Sequence, residues 1–137
     1  MRIYIAGAWG ERERLREHAA ELEAMGHLVT ADWLHADASV PYVTGDPDIW
    51  AARVLGQIRH ADLLIYDTEG QSRGGRDTEL GVALGLGTPI IIVGPIDTDH
   101  ASLFVLATPR TKSTVGPHFA DWRHLAIAVT GRVGRPR

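Results

Sequence analysis

Four short apolar runs, spaced along the first two-thirds of the chain, constrain the fold more than anything else in the sequence. They are Arg2 to Ala6, Leu28 to Ala31, Asp62 to Asp67 and Pro89 to Gly94. Runs that stay apolar at successive positions, instead of alternating with polar residues, mark strands buried on both faces. Helical patterns separate them. From Glu11 to Met25, the residues Leu15, Ala19, Leu22 and Met25 fall on one stripe and charged residues cover the rest. Gly26 follows as a left-handed stop. Asp46-Pro47-Asp48 opens a second helix, with Asp46 as cap and Pro47 in the first turn. A third helix is expected from Thr78 to Leu86, closed by Gly87. His118 to Ala120 reads as a last short strand, and Asp121 to Val129 as a last helix capped by Asp121. The stretches His35 to Gly45 and Ser102 to Thr108 carry no periodicity.

Strands alternating with helices make an α/β protein with a parallel sheet covered on both faces. About five strands fit a flavodoxin-like three-layer sandwich of order 2-1-3-4-5. Right-handed crossovers then bring every strand's carboxyl end to one edge, where ligands of such sheets bind. A length of 137 residues fits one domain, expected over residues 1–131 with a loose tail at 132–137. No cysteine is present, which excludes disulfides and thiolate chemistry. The net charge of −3 argues against binding a nucleic-acid polymer, and no apolar run is long enough to span a membrane. The chain begins on a strand pattern with no signal-peptide layout, so a cytoplasmic protein is expected. Seven histidines lack the short helical spacing of a metal motif, and neither a metal nor a cofactor is expected.

The segment Ser72-Arg73-Gly74-Gly75-Arg76-Asp77-Thr78-Glu79-Leu80-Gly81 is the most informative for chemistry. A glycine pair before a helix lets backbone come close to a ligand, and the free amides of the first turn favour negative charge there. Glu79 then has two readings. It either compensates the helix dipole on a solvated surface, with no second polar partner nearby, or it is an aimed carboxylate acting as nucleophile. Gly81 and Gly85 are expected to let this helix pack tightly on the sheet. The first turn, Gly7-Ala8-Trp9-Gly10, lacks both the dinucleotide fingerprint and the P-loop lysine, yet can offer amides to a ligand. Arg12 and Arg14 alternate with Glu11 and Glu13 and read as a solvated charged face. Tyr4 lies inside the first strand, and Trp9, Trp33 and Trp50 serve either core packing or stacking on a planar base. Asp32 and Asp67 stand at the ligand edge.

Taken together, Arg2-Ile3-Tyr4-Ile5-Ala6-Gly7, Ala61-Asp62-Leu63-Leu64-Ile65, Gly75-Arg76-Asp77-Thr78-Glu79-Leu80-Gly81 and Gly87-Thr88-Pro89-Ile90-Ile91 resemble the nucleoside 2-deoxyribosyltransferase family, including its 2′-deoxynucleoside 5′-phosphate N-hydrolase branch. The resemblance runs over about residues 1–95 and, on a wider reading, to His118-Phe119-Ala120-Asp121-Trp122. It implies a flavodoxin-like enzyme that cleaves the N-glycosidic bond of a small-molecule nucleoside or nucleotide and passes the sugar to another base or to water. It implies Glu79 as the nucleophile, Tyr4 as the residue that positions it, and Gly7 at the sugar or phosphate. Ser72 would reach a phosphate in a neighbouring subunit, so a homo-oligomer, dimer or larger, is implied. Ala8, Trp9, Asp32, Asp67, Gly74, Gly75 and Arg76 complete the expected substrate site. Two departures stand out. Val54 occupies the place of the family's second-helix aspartate, which Asp32, Asp67 or Asp77 would have to replace, and Ala8 stands where the phosphate-hydrolysing branch has serine. The missing aspartate also admits a non-catalytic nucleotide-binding or sensing module on the same fold. The glycine pair with Thr78-Glu79 further resembles phosphoribohydrolases that release cytokinin bases, without the rest of that pattern.

Overall fold

The computed structural model describes residues 1–36, 47–96 and 115–125. Five parallel strands form one sheet: β1 (Arg2–Ala6), β2 (Leu28–Val29), β3 (Leu63–Asp67), β4 (Ile90–Val93) and β5 (Val115–Phe119). Their order is β2-β1-β3-β4-β5, as the alternation of strand and helix patterns predicts. The three central strands carry the core. Every residue of β3 and β4 is buried, and so is every residue of β1 after Arg2. Continuous burial explains why these runs read as unbroken apolar stretches.

Among the described residues three α-helices cover the sheet: α1 (Arg12–Ala24), α2 (Pro47–Arg59) and α3 (Gly75–Leu86). The step from β1 to β2 runs opposite to the steps from β2 through β3 to β4. With right-handed crossovers, α1 therefore lies on one face while α2 and α3 share the other. The chain's own contacts agree. Leu15, Ala19 and Leu22 bury the α1 stripe, and the ring of His18 on α1 stacks on Trp122 from a helical turn at residues 122–125. Asp121 caps that turn, accepting the backbone N–H of His124. Among the described residues no helix is long and apolar enough to cross a membrane.

Boundaries shift where local chemistry outweighs periodicity. A single 3-10 turn, Trp9–Glu11, precedes α1. β2 ends at Val29, short of Ala31, because the chain enters a second 3-10 turn, Asp32–His35, anchored by Trp33 Nε1 donating to the Ile5 carbonyl at 2.9 Å. The third helix starts at Gly75, three residues before Thr78. Gly74 takes a left-handed φ of 105°, and Ser72 Oγ accepts the N–H of both Gly74 and Arg76. Gly81 and Gly85 do not approach the sheet. A Cβ at either would meet nothing within 4 Å, since they lie away from the buried stripe of Leu80 and Ala83. The expected cap Asp46, the unpatterned stretch 102–108, most of the last helix and the tail lie outside the described residues.

Candidate active site at the carboxyl edge of the sheet

Tyr4 is fully buried in β1, and its hydroxyl donates to Glu79 Oε1 at 2.8 Å. The two residues are 75 apart in sequence. Only the parallel topology brings them together, by laying the start of α3 over β1 and β3. Glu79 is partly buried, and that burial pushes its carboxyl up to about 7, against the opposing pull of the Tyr4 hydrogen bond. A second polar partner is what the solvated-surface reading of Glu79 excludes. The geometry is that of an aimed carboxylate whose protonation changes near neutrality, as is common at catalytic positions.

Tyr66 and Asp77 form a parallel pair, the Tyr66 hydroxyl donating to Asp77 Oδ1 at 2.5 Å. Arg76 lies between them and the loop after β3. Its guanidinium sits 5.2 Å above the Tyr66 ring, and Nη1 donates to the carbonyls of Asp67, Glu69 and Gly70. Arg76 thus ties the loop to the helix that carries Glu79. The backbone of Gly74 and Gly75 opens the same helix, and both residues are exposed.

Successive strand residues point to opposite faces, so Asp67 turns away from Tyr66 and toward α1. Its side chain is fully buried. Arg14 grips both oxygens at 2.6 and 3.1 Å, Trp122 Nε1 donates at 2.6 Å, and the Glu69 N–H donates at 3.0 Å. This corrects the reading of Arg14 as part of a solvated face, because a buried carboxylate demands a cation. Arg14 and Asp67 also line a cleft of about 290 Å³ with His18, Gly94 and Trp122, on the α1 side of the edge.

At the other end of the edge, Gly7 follows β1 closely packed. A Cβ there would lie 2.5 Å from Leu15 Cδ1. Ala8 is buried, and Trp9 is half-buried, stacked on Trp33 with ring centroids 6.3 Å apart. The Arg12 guanidinium covers Trp9 at 3.7 Å and donates to the Ala36 carbonyl, so this arginine too is engaged with the protein. Trp33 belongs to the core. Asp32 pairs with Arg53 of α2. Among the described residues no three His, Asp or Glu side chains gather as a metal would require. Sequence reasoning overlooked Tyr66 and Trp122. The signal for Tyr66 was its place two residues after Leu64, on the face that Tyr4 shares.

No protein-family model matches the chain, and no curated protein matches it. Solved structures do. The chain is similar to the CMP N-glycosidase BcmB of Clostridium botulinum, with a TM-score of 0.67 at 20% identity over 96% of this chain and 99% of that one. It is similar to a 2-deoxyribosyltransferase from the psychrotolerant bacterium Bacillus psychrosaccharolyticus, with a TM-score of 0.62 at 20% identity over 95% and 96%. A conserved protein from Enterococcus faecalis V583 has a TM-score of 0.62 at 16% identity over 96% and 98%. The chain has the fold of these proteins. The family resemblance read from four short motifs therefore coincides with a likeness spanning nearly the whole chain.

Proposed function

We propose that the protein cleaves the N-glycosidic bond of a (deoxy)nucleoside or its 5′-monophosphate, with Glu79 as nucleophile and Tyr4 orienting it. The 2.8 Å hydrogen bond between Tyr4 and Glu79 at the ligand edge carries this reading. Two proteins of the same fold, a CMP N-glycosidase and a 2-deoxyribosyltransferase, act on this bond class, which supports it. In the proposed reaction a Glu79 oxygen attacks the anomeric carbon. The bond to the base nitrogen breaks, its electron pair leaves with the base, and the base takes up a proton. The cation-like transition state gains from the nearby carboxylate, and the sugar rests as an ester on Glu79. Water or a second base then displaces it. Tyr4, by donating to Oε1, holds one oxygen and leaves the other to attack.

The backbone of Gly7, Ala8, Gly74 and Gly75 would border the sugar or phosphate, with Trp9 beside the base and Ser72, Asp32 and Arg76 shaping the surroundings, whereas the Asp67 side chain is taken up by Arg14 and Trp122 on the α1 face. A cytoplasmic homo-oligomer belongs to the same reading. The test is incubation with deoxynucleosides, ribonucleosides and their monophosphates, with free base measured by chromatography. Release from at least one, reduced at least about a hundredfold by Glu79→Gln, is expected. No release from any, or undiminished release by the variant, overturns it.

A non-catalytic nucleotide-binding module is the second reading. It is favoured by the engagement of all three aspartates that would replace the one absent at Val54. Asp32 is held by Arg53, Asp67 by Arg14 and Trp122, and Asp77 by Tyr66. Calorimetric binding of a nucleotide without turnover would select it.

A further inference from the structure

Helix α3, the element that carries Glu79, buries Leu80 and Ala83 fully and packs Val82 and Leu84 partly against the core. Apolar packing is non-directional, so it seats the helix without fixing its roll as closely as an aimed carboxylate requires. The polar contacts at its start supply that direction. Asp77 and Glu79 are two residues apart, about 200° around the helix, so they leave from opposite flanks. Each meets a tyrosine. Tyr4 pairs in register with Leu64, and Ala6 with Tyr66, so the two tyrosines stand on the same face of adjacent strands, Tyr66 one step nearer the carboxyl edge. Glu79 is thereby pinned to β1 and Asp77 to β3. Arg76, over the Tyr66 ring, fastens the same turn to three carbonyls of the preceding loop. Burial, and behind it the hydrogen bond to Asp77, keep the Tyr66 hydroxyl protonated well above its ordinary range, so it remains a donor across all working conditions.

We infer that Tyr66 and Asp77 are a positioning pair that sets the roll of α3 and with it the aim of the Glu79 carboxylate. The inference rests on the N-glycosidic reading for its kinetic consequence, but not for its structural one. Its experiment therefore has two readouts, kcat and KM for base release, and the titration of the Glu79 carboxyl followed by NMR in the full chain. Tyr66→Phe removes one oxygen from a buried ring, and Asp77→Ala changes an exposed residue, so both variants keep the core intact. Both should lower kcat by about tenfold or more with KM changed less than about threefold, as misaimed reacting groups do. Both should also move the Glu79 titration downward toward the ordinary glutamate range, because a rolled helix exposes the carboxyl and burial outweighs the Tyr4 bond in setting its value. Asp77→Asn keeps an acceptor for Tyr66 and should restore most of the rate and the titration. Unchanged kcat and unchanged titration in Tyr66→Phe and Asp77→Ala would overturn the pairing. So would a fall in kcat with the Glu79 titration unmoved, or an Asp77→Asn variant as impaired as Asp77→Ala. If the unmodified protein releases no base, the N-glycosidic reading fails, and the titration alone decides the pairing.

Discussion

Burial and the Tyr4 hydrogen bond act on the Glu79 carboxyl in opposite directions, and the balance has measurable consequences. Burial raises the carboxyl to about 7, while the Tyr4 hydroxyl pulls it down. In its proposed role as nucleophile Glu79 must be ionised, so kcat/KM for base release should rise with pH through an acidic limb near 7. Tyr4→Phe removes the one stabilising donor and should push that limb higher, costing roughly tenfold at pH 6 or more if aim is lost as well. A pH–rate profile of both proteins checks this. A limb unmoved or lowered in Tyr4→Phe would contradict it. Stability gives a second check with no substrate. A carboxyl whose folded pKa exceeds its unfolded one stabilises the fold below the unfolded value, and that contribution is lost as pH rises through the folded value. Glu79 therefore weighs against the fold above pH 7 and not at pH 4. Glu79→Gln should be more stable than the unmodified protein at pH 8, by on the order of 2 kcal/mol, and nearly equal to it at pH 4. Urea unfolding at the two pH values reads the difference.

At the scale of elements, Asp67 joins four pieces of chain. Its side chain is held by α1 through Arg14 and by the helical turn at residues 122–125 through Trp122, and its carbonyl by α3 through Arg76. Breaking a buried pair strands a charge and costs about 3–5 kcal/mol. Arg14→Ala should therefore lose about 3 kcal/mol in denaturant unfolding followed by tryptophan fluorescence, whereas Arg16→Ala on the same helix should lose less than about 1 kcal/mol. Equal losses would show that the buried pair is not special. The contrast also marks where the sequence was legible. The apolar runs disclosed the strands, because burial on both faces leaves no alternation to misread. The run Glu11-Arg12-Glu13-Arg14 hid its one buried contact, because charge alternation looks the same whether or not a carboxylate 53 residues away turns inward to meet it. The start of α3 was misplaced for a similar reason. Its N-cap is Gly74 in a left-handed conformation, and the side-chain acceptor for the Arg76 N–H is Ser72, three residues ahead of Gly75.

For the whole molecule, topology converts distant motifs into a site. Sheet order was readable from element alternation and handedness, and it fixed which edge to search. Residues 4 and 79 then became neighbours without any local signal linking them. The glycines at 81 and 85 suggested a tight helix–sheet approach that the molecule does not make, since spacing of four says which face they share but not where that face points. The likeness to an N-glycosidase and a deoxyribosyltransferase extends over the same architecture. What that edge does is decided most directly by mass spectrometry of the protein quenched during incubation with the nucleosides and nucleotides of the proposed substrate panel. A sugar adduct on the peptide containing Glu79, absent from Glu79→Gln, is the expected result. Continued base release with no adduct there, or with the adduct on another residue, would contradict the role given to this carboxylate.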